Sequence, residues 1–352
     1  MDKFGIIAYA SNNIGDEIQT LAQMRFLPQV DYECVRERIK DFKSDNNEKV
    51  KLIMNAWYMF NQSFFPPPET ITPLLISMHF TDKMIKNYFN KPEIRKWLIK
   101  NGPVGARDVF TYTRLQEIEI PSYFSGCLTL SLLPNEKLKA NKNHKYALAV
   151  NLTEEEVNIL KNKTNLPVYN FGKMLFGMSM ENRLRLAKCV LSLYHNAEVV
   201  VTRNLHTSLP CLAFGTPVLL LTTGKDGTPL VNRFDGLHHL CNNMTHEEFI
   251  YDLKHYNIDN PPPNPHIYKE MATKLVTTCS EFTGYDSKKS PLEDDFEPLF
   301  ELISLMQLDK HQIQRNLYYA NTEQLFRALV DKKYSLNSKY RIINDNQINI
   351  IK

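Results

Sequence analysis

The stretch that decides the fold is VVVTRNLHTSLPCLAFGTPVLLL, Val199–Leu221. A run of β-branched residues ends at Thr202, a polar elbow of Arg203 and Asn204 follows, and a helical segment, Asn204–Phe214, leads through Gly215 to a second apolar run, Pro217–Leu221. Short apolar runs separated by a helix-length segment mark parallel strands joined by a crossover helix. Pro210 has no N–H for the carbonyl of His206, so the first turn of that helix is expected to be kinked, with His206 in it. A polar helix start at the carboxyl end of a buried strand suits a phosphate; the same residues also read as a capped helix with a solvent-facing histidine.

The pattern extends in both directions. In the first half Phe4–Tyr9, Leu52–Trp57, Leu74–His79 and Val104–Ala106 read as buried strands, with helices at Asp16–Phe26, Pro92–Lys100 and Asp108–Ile118. Phe65 and the prolines 66–68 form a loop. The chain turns lysine- and asparagine-rich at Asn135–His144 and restarts at Tyr146–Val150, which predicts a domain boundary there. A helix from Glu154, a strand near Leu166–Tyr169, a helix at Met180–His195 and a strand at Glu198–Thr202 complete the second half, and the sequence after Pro263 reads as helical to about Val330. The expectation is therefore an α/β protein of two Rossmann-like, doubly wound domains facing a cleft. Residues 1–140 form the first, 145–330 the second with a helical C-terminal part, and 331–352 a weakly patterned tail. Ligands of such sheets bind beyond the carboxyl ends of the strands.

Composition narrows the function. The 352 residues are 43% apolar and carry a net charge of +3, with no block of lysine and arginine to track a nucleic acid or an anionic membrane. Six scattered cysteines lack the spacing of a zinc site or a disulfide framework and read as reduced thiols. The N-terminus runs directly into a strand-like segment and does not read as a secretory signal. The most apolar stretch, around Leu209–Leu221, is interrupted by Pro210, Gly215 and Pro217, so no transmembrane segment is expected. The expected place is the cytoplasm, with peripheral membrane association left open. Phosphate-loop, dinucleotide, nucleophile-elbow and zinc-helix motifs are missing, and no metal is expected.

Three further loops carry candidate chemistry. In YASNNIGDEIQTLA, Tyr9–Ala22, Asn13 and Gly15 permit a tight turn before a helix whose amides suit an anion or a sugar edge, while Asp16 also reads as a simple helix cap. In KNGPVGARDVFTYTRLQ, Lys100–Gln116, Arg107 ends a strand and can grip a carboxylate or phosphate, or pair with Asp108 on the surface. His79, in SMHF, ends a buried strand and, taken alone, reads more often as a satisfied core histidine.

Three ordered motifs, NIGDEIQTLA, GARDVFTYTRL with SYFSGCLTLSLL, and TRNLHTSLPCLAFGTPVLLL, resemble those of the polysaccharide pyruvyl transferase family from about Tyr9 to about Leu237. The resemblance implies a GT-B-like fold with the acceptor on the first domain and the donor on the second. It also implies that phosphoenolpyruvate is donor, that no cofactor is needed, and that a sugar of a surface polysaccharide or exopolysaccharide, lipid-linked or free, is acceptor. Carried over by position, Asp16 and His206 are the catalytic candidates and Arg107, Arg203 and Asn204 bind the donor. Asn13, Gly15 and His79 line the acceptor side or the cleft. The family usually has arginine two places before the histidine, where this chain has Asn204 and carries Arg203 one residue earlier. Two other readings share these residues: a GT-B glycosyltransferase using a nucleotide sugar, and a non-catalytic carbohydrate-binding descendant, for which Asn204 is the hint.

Overall fold

The computed structural model describes residues 2–11, 13–58, 65–139, 145–171, 180–223, 234–251 and 256–292. In the first half they form β1 (Lys3–Ala8), α1 (Ile14–Met24), β2 (Tyr32–Val35), β3 (Val50–Ile53), β4 (Trp57–Tyr58), β5 (Ile71–Leu74), β6 (His79–Phe80), α2 (Asp82–Tyr88), α3 (Pro92–Asn101), β7 (Val104–Ala106), α4 (Val109–Glu117), β8 (Ser122–Phe124) and α5 (Glu136–Lys139). The second half contributes β9 (Ala147–Val150), α6 (Glu154–Asn162), β10 (Val168–Phe171), α7 (Met180–Asn196), β11 (Val199–Thr202), α8 (Leu205–Phe214), β12 (Val218–Leu221), β13 (Asn242–Met244), α9 (His246–Tyr251) and α10 (Tyr268–Thr283).

Two parallel sheets organise these elements. The first has the order β2-β1-β3-β5 and the second β10-β9-β11-β12-β13; β4 pairs with β6 and β7 with β8, again in parallel. Strands β9, β11 and β12 are buried along their whole length, as parallel strands covered on both faces must be. In each sheet the second strand in sequence lies outside the first, and the third lies on the first strand's other side. The order therefore reverses between β1 and β3 and between β9 and β11, and at such switch points a crevice opens beyond the strand ends.

The two sheets share a core. Ile6, Ile18 and Leu21 of the first half join Leu148, Val200 and Leu220 of the second in one continuous apolar cluster, with α1 packed along α7. Beyond α10 the chain crosses back: Arg25 pairs with Asp286, Ser287 N donates to Arg25 O at 2.8 Å, and Ser290 Oγ donates to Leu133 O. Among the described residues no helix is long and apolar enough to cross a membrane. The expected helical run to Val330 and the tail lie outside the described residues beyond Leu292, as do residues 140–144 of the expected boundary.

Two expected strands are shorter than their apolar runs. The run Leu52–Trp57 ends as a strand at Ile53 because Ala56 N donates to Met54 O in a turn, and the run Leu74–His79 breaks where Ser77 takes a φ of 53°. Both segments stay buried and pair only through scattered bonds, such as Met54 N to Leu74 O and the single bridge between Met78 and Ala106, so hydrophobicity alone overstates the strand length.

Candidate functional site

The loop after β1 ends in an N-cap. Asn13 accepts from Gly15 N at 3.2 Å, and Asp16, which the sequence allowed as the cap, is instead buried at the start of α1. The Asp16 carboxylate accepts from Ser11 Oγ and, at 3.3 Å, from Gln19 Nε2, and it faces Arg36 Nη1 at 3.4 Å. Next to it Glu17 receives Arg183 Nε at 2.6 Å, while Arg183 also donates to Ser11 O, so a cation on α7 fastens the first loop to the second half. Burial pushes the Glu17 carboxyl up to about 7 despite the charge of Arg183.

The loop after β11 faces that one. Its helix, α8, begins at Leu205 with Asn204 as N-cap residue, yet the Asn204 side chain does not cap it. Asn204 Oδ1 accepts from Asn151 Nδ2 at 3.1 Å, bridging the ends of β9 and β11 across the switch point, and Asn204 Nδ2 is buried without a partner among the described residues. The kink expected from Pro210 is present, because His206 has a non-helical ψ of 18°. Half-buried His206 packs on the opposite loop: a Cβ placed on Gly15 would stand 2.8 Å from His206 Nδ1, so only glycine lets the two helix starts approach this closely.

Arg203 points elsewhere. Its Nη2 donates to the fully buried Glu156 and lies 3.1 Å from His246 Nδ1, which itself meets Glu156 Oε1 at 2.7 Å. Burial would raise the Glu156 carboxyl, but the bonds from Arg203, Thr153 N and His246 outweigh it and hold it below the usual range.

A second group forms at the end of β7. Arg107 is 1% exposed, not a surface residue, and its Nε and Nη2 have no hydrogen-bond partner among the described residues; Nε stands 3.6 Å from Asp108 Oδ2. Asp108 caps α4 by accepting from Thr111 N at 2.9 Å and meets His79 Nδ1 at 2.6 Å, with Thr111 Oγ1 3.1 Å from the same ring nitrogen. Burial opposes the ionised form of Asp108, yet the His79 hydrogen bond, the positive charge of Arg107 and the Thr111 N–H hold the carboxyl below its ordinary range. The second half reaches this group too, through the Asp235 carbonyl, which accepts from Val109 N at 3.0 Å.

The candidate residues thus fall into three places. Asn13, Gly15, Asp16, Asn204 and His206 meet at the facing switch points. Arg107 and His79 sit around Asp108, linked to the first place by Cys127 and the turn Leu128–Ser131, which packs on α1 and α8. Arg203 is drawn to Glu156. Sequence reading missed Glu17, Arg183, Glu156 and His246 as partners, and missed Asp108 as the partner of His79. Only Glu156 had a local signal, the capping box it makes with Thr153; the others meet across 29 residues or more.

Comparison with known proteins supplies the family. No curated protein sequence matches the chain. Among solved structures, the chain is similar to an Escherichia coli heptosyltransferase, WaaC, with ADP, at 12% identity and a TM-score of 0.30, covering 64% of this chain and 88% of that one. It is also similar to a Methanocaldococcus jannaschii UDP-GlcNAc 2-epimerase in complex with UDP-GlcNAc and UDP, at 10% identity and a TM-score of 0.33, covering 87% and 99%. These are weak likenesses, and the fold rests on the two parallel sheets themselves. The family model for polysaccharide pyruvyl transferase matches residues 13–225, a stretch that contains Asn13, Gly15, Asp16, His79, Arg107, Asn204 and His206, and the chain belongs to that family.

Proposed function

We propose that this protein moves the pyruvyl group of phosphoenolpyruvate onto two hydroxyls of a sugar, in a surface polysaccharide or its precursor, as a cyclic ketal with release of phosphate. The observation that carries the reading is the meeting of the two switch-point loops, where His206 packs on Gly15 at a helix start whose N-cap side chain is turned away. Uncapped amides at the positive end of a helix, beside an imidazole, form a phosphate seat. Arg107, buried with two N–H groups unused, supplies the cation for the donor carboxylate or phosphate, an anion that would complete its hydrogen bonding. Asn13 and Gly15 line the acceptor side. Asp16 fixes the first loop, because its carboxylate already accepts from Ser11 and Gln19 and faces Arg36. Phosphoenolpyruvate is a cytoplasmic metabolite, so the reaction belongs on the cytoplasmic side, on a free or lipid-linked acceptor.

The test is incubation of the protein with phosphoenolpyruvate and a panel of galactosides and mannosides, free and lipid-linked. Phosphate release matched by added pyruvyl mass on one acceptor is the expected result. Turnover of a nucleotide sugar with no use of phosphoenolpyruvate would replace this reading with a glycosyl transfer.

A further inference from the structure

The group around Asp108 has the geometry of a proton-handling pair. His79 begins β6 beside β4, and its ring is flanked by Trp57, 5.4 Å away between centroids and tilted by 65°, and by Phe110 at 6.4 Å. Trp57 and Phe110 are half-buried, and His79 keeps about a sixteenth of its side chain exposed, 6%, beside them. Behind the ring stands Asp108, fully buried and 2.6 Å from Nδ1. An ionised carboxylate can only accept, so Nδ1 carries a proton, and in the neutral form of the ring the lone pair lies on Nε2. Aromatic faces beside a histidine provide the apolar wall and the polar contact that a pyranose ring presents in turn on its C–H face and its hydroxyls.

We propose that His79 is the general base for the first acceptor hydroxyl, and that Asp108 is the positioning residue that fixes its tautomer and aim. The proposal rests on the pyruvyl-transfer reading and assigns to that site its acceptor half, a sugar lying against Trp57 and Phe110. In the transfer, the acceptor oxygen bonds to C2 of phosphoenolpyruvate as its proton passes to Nε2 of His79, while C3 gains a proton and becomes a methyl group. The C2–O bond to phosphate then breaks, phosphate taking the electron pair, and the second hydroxyl oxygen bonds to C2 and loses its proton. The two protons given up by the hydroxyls balance the one gained at C3 and the one carried by the departing phosphate.

Asp108→Asn tests the positioning role, because asparagine caps a helix as well as aspartate but presents an amide to the ring. The expected result is a fall in kcat of at least about a hundredfold, the usual worth of a general base, with KM for phosphoenolpyruvate changed by less than about threefold. Histidine 15N NMR should show His79 protonated on Nδ1 in the parent and on Nε2 in the variant. A parent that carries the His79 proton on Nε2, or an active parent whose Asp108→Asn variant keeps its kcat, would overturn the assignment while leaving pyruvyl transfer standing. A parent that uses no phosphoenolpyruvate with any acceptor would overturn both. Should Asp108→Asn fail to fold, His79→Gln leaves Asp108 and its cap in place and must lose kcat by the same factor; retained kcat in that variant overturns the proposal.

Discussion

Arg107 and Arg203 occupy equivalent places, each directly after a buried parallel strand and before a helix, and the structure gives them different surroundings. Arg203 meets a fully buried carboxylate, Glu156, with His246 on the same oxygen. Arg107 is the more buried of the two, and its nearest carboxylate is turned toward His79, which among the described residues leaves Nε and Nη2 without a partner, whereas Arg203 lacks one at Nε alone. A buried cation already neutralised is part of the scaffold; one left short of acceptors is a place for an anion from outside. In this arrangement Arg203 pairs with Glu156, and Asn204 ties the two strand ends together through Asn151.

The strongest way to break this contrast is Arg203→Ala. Removing one partner of a buried pair leaves Glu156 held only by Thr153 N and His246 and costs up to about 3–5 kcal/mol, so urea denaturation should show a large loss of stability while kcat per folded molecule changes little. A variant of parental stability that no longer handles phosphoenolpyruvate would return Arg203 to the donor site.

Glu17 and Arg183 sharpen the comparison, being a buried pair that joins the two halves. The free carboxyl titrates near 4.5 and the folded one near 7, so between those values the native state holds more protons than the unfolded chain and stability falls as pH rises. The full effect is about 3 kcal/mol. Denaturation at pH 5 and pH 8 should reveal that slope in the parent and a flatter one in Glu17→Gln; equal slopes would show that Glu17 titrates normally in the fold.

Much of this architecture was legible in the sequence because parallel strands are buried on both faces and read as unbroken apolar runs: Ala147–Val150, Val199–Thr202 and Val218–Leu221 fall within a residue or so of their expected places. The kink at His206 was legible for a different reason, since proline forbids one particular hydrogen bond. Pairings were not legible. Nothing in the local pattern shows that Asp108 turns to a histidine 29 residues earlier, or that Arg203 finds Glu156 47 residues away, because such contacts are set by sheet order and not by period. Likewise the polar stretch after Asn135 suggests a boundary, yet the halves share a core through α1 and α7. We propose that the division runs between the two sheets at residues 140–144. Limited proteolysis should cut there first, and first cuts inside either sheet would move the boundary.

The most direct test of the account compares phosphate release from phosphoenolpyruvate by the parent, Arg107→Ala and Arg203→Ala at equal concentrations of folded protein, with a competent acceptor present. Losing a charge-assisted contact to the donor costs about 1.5–3 kcal/mol, roughly ten- to more than a hundredfold in kcat/KM. The account predicts that loss for Arg107→Ala alone, whereas an unchanged Arg107→Ala beside an inactive Arg203→Ala would contradict it.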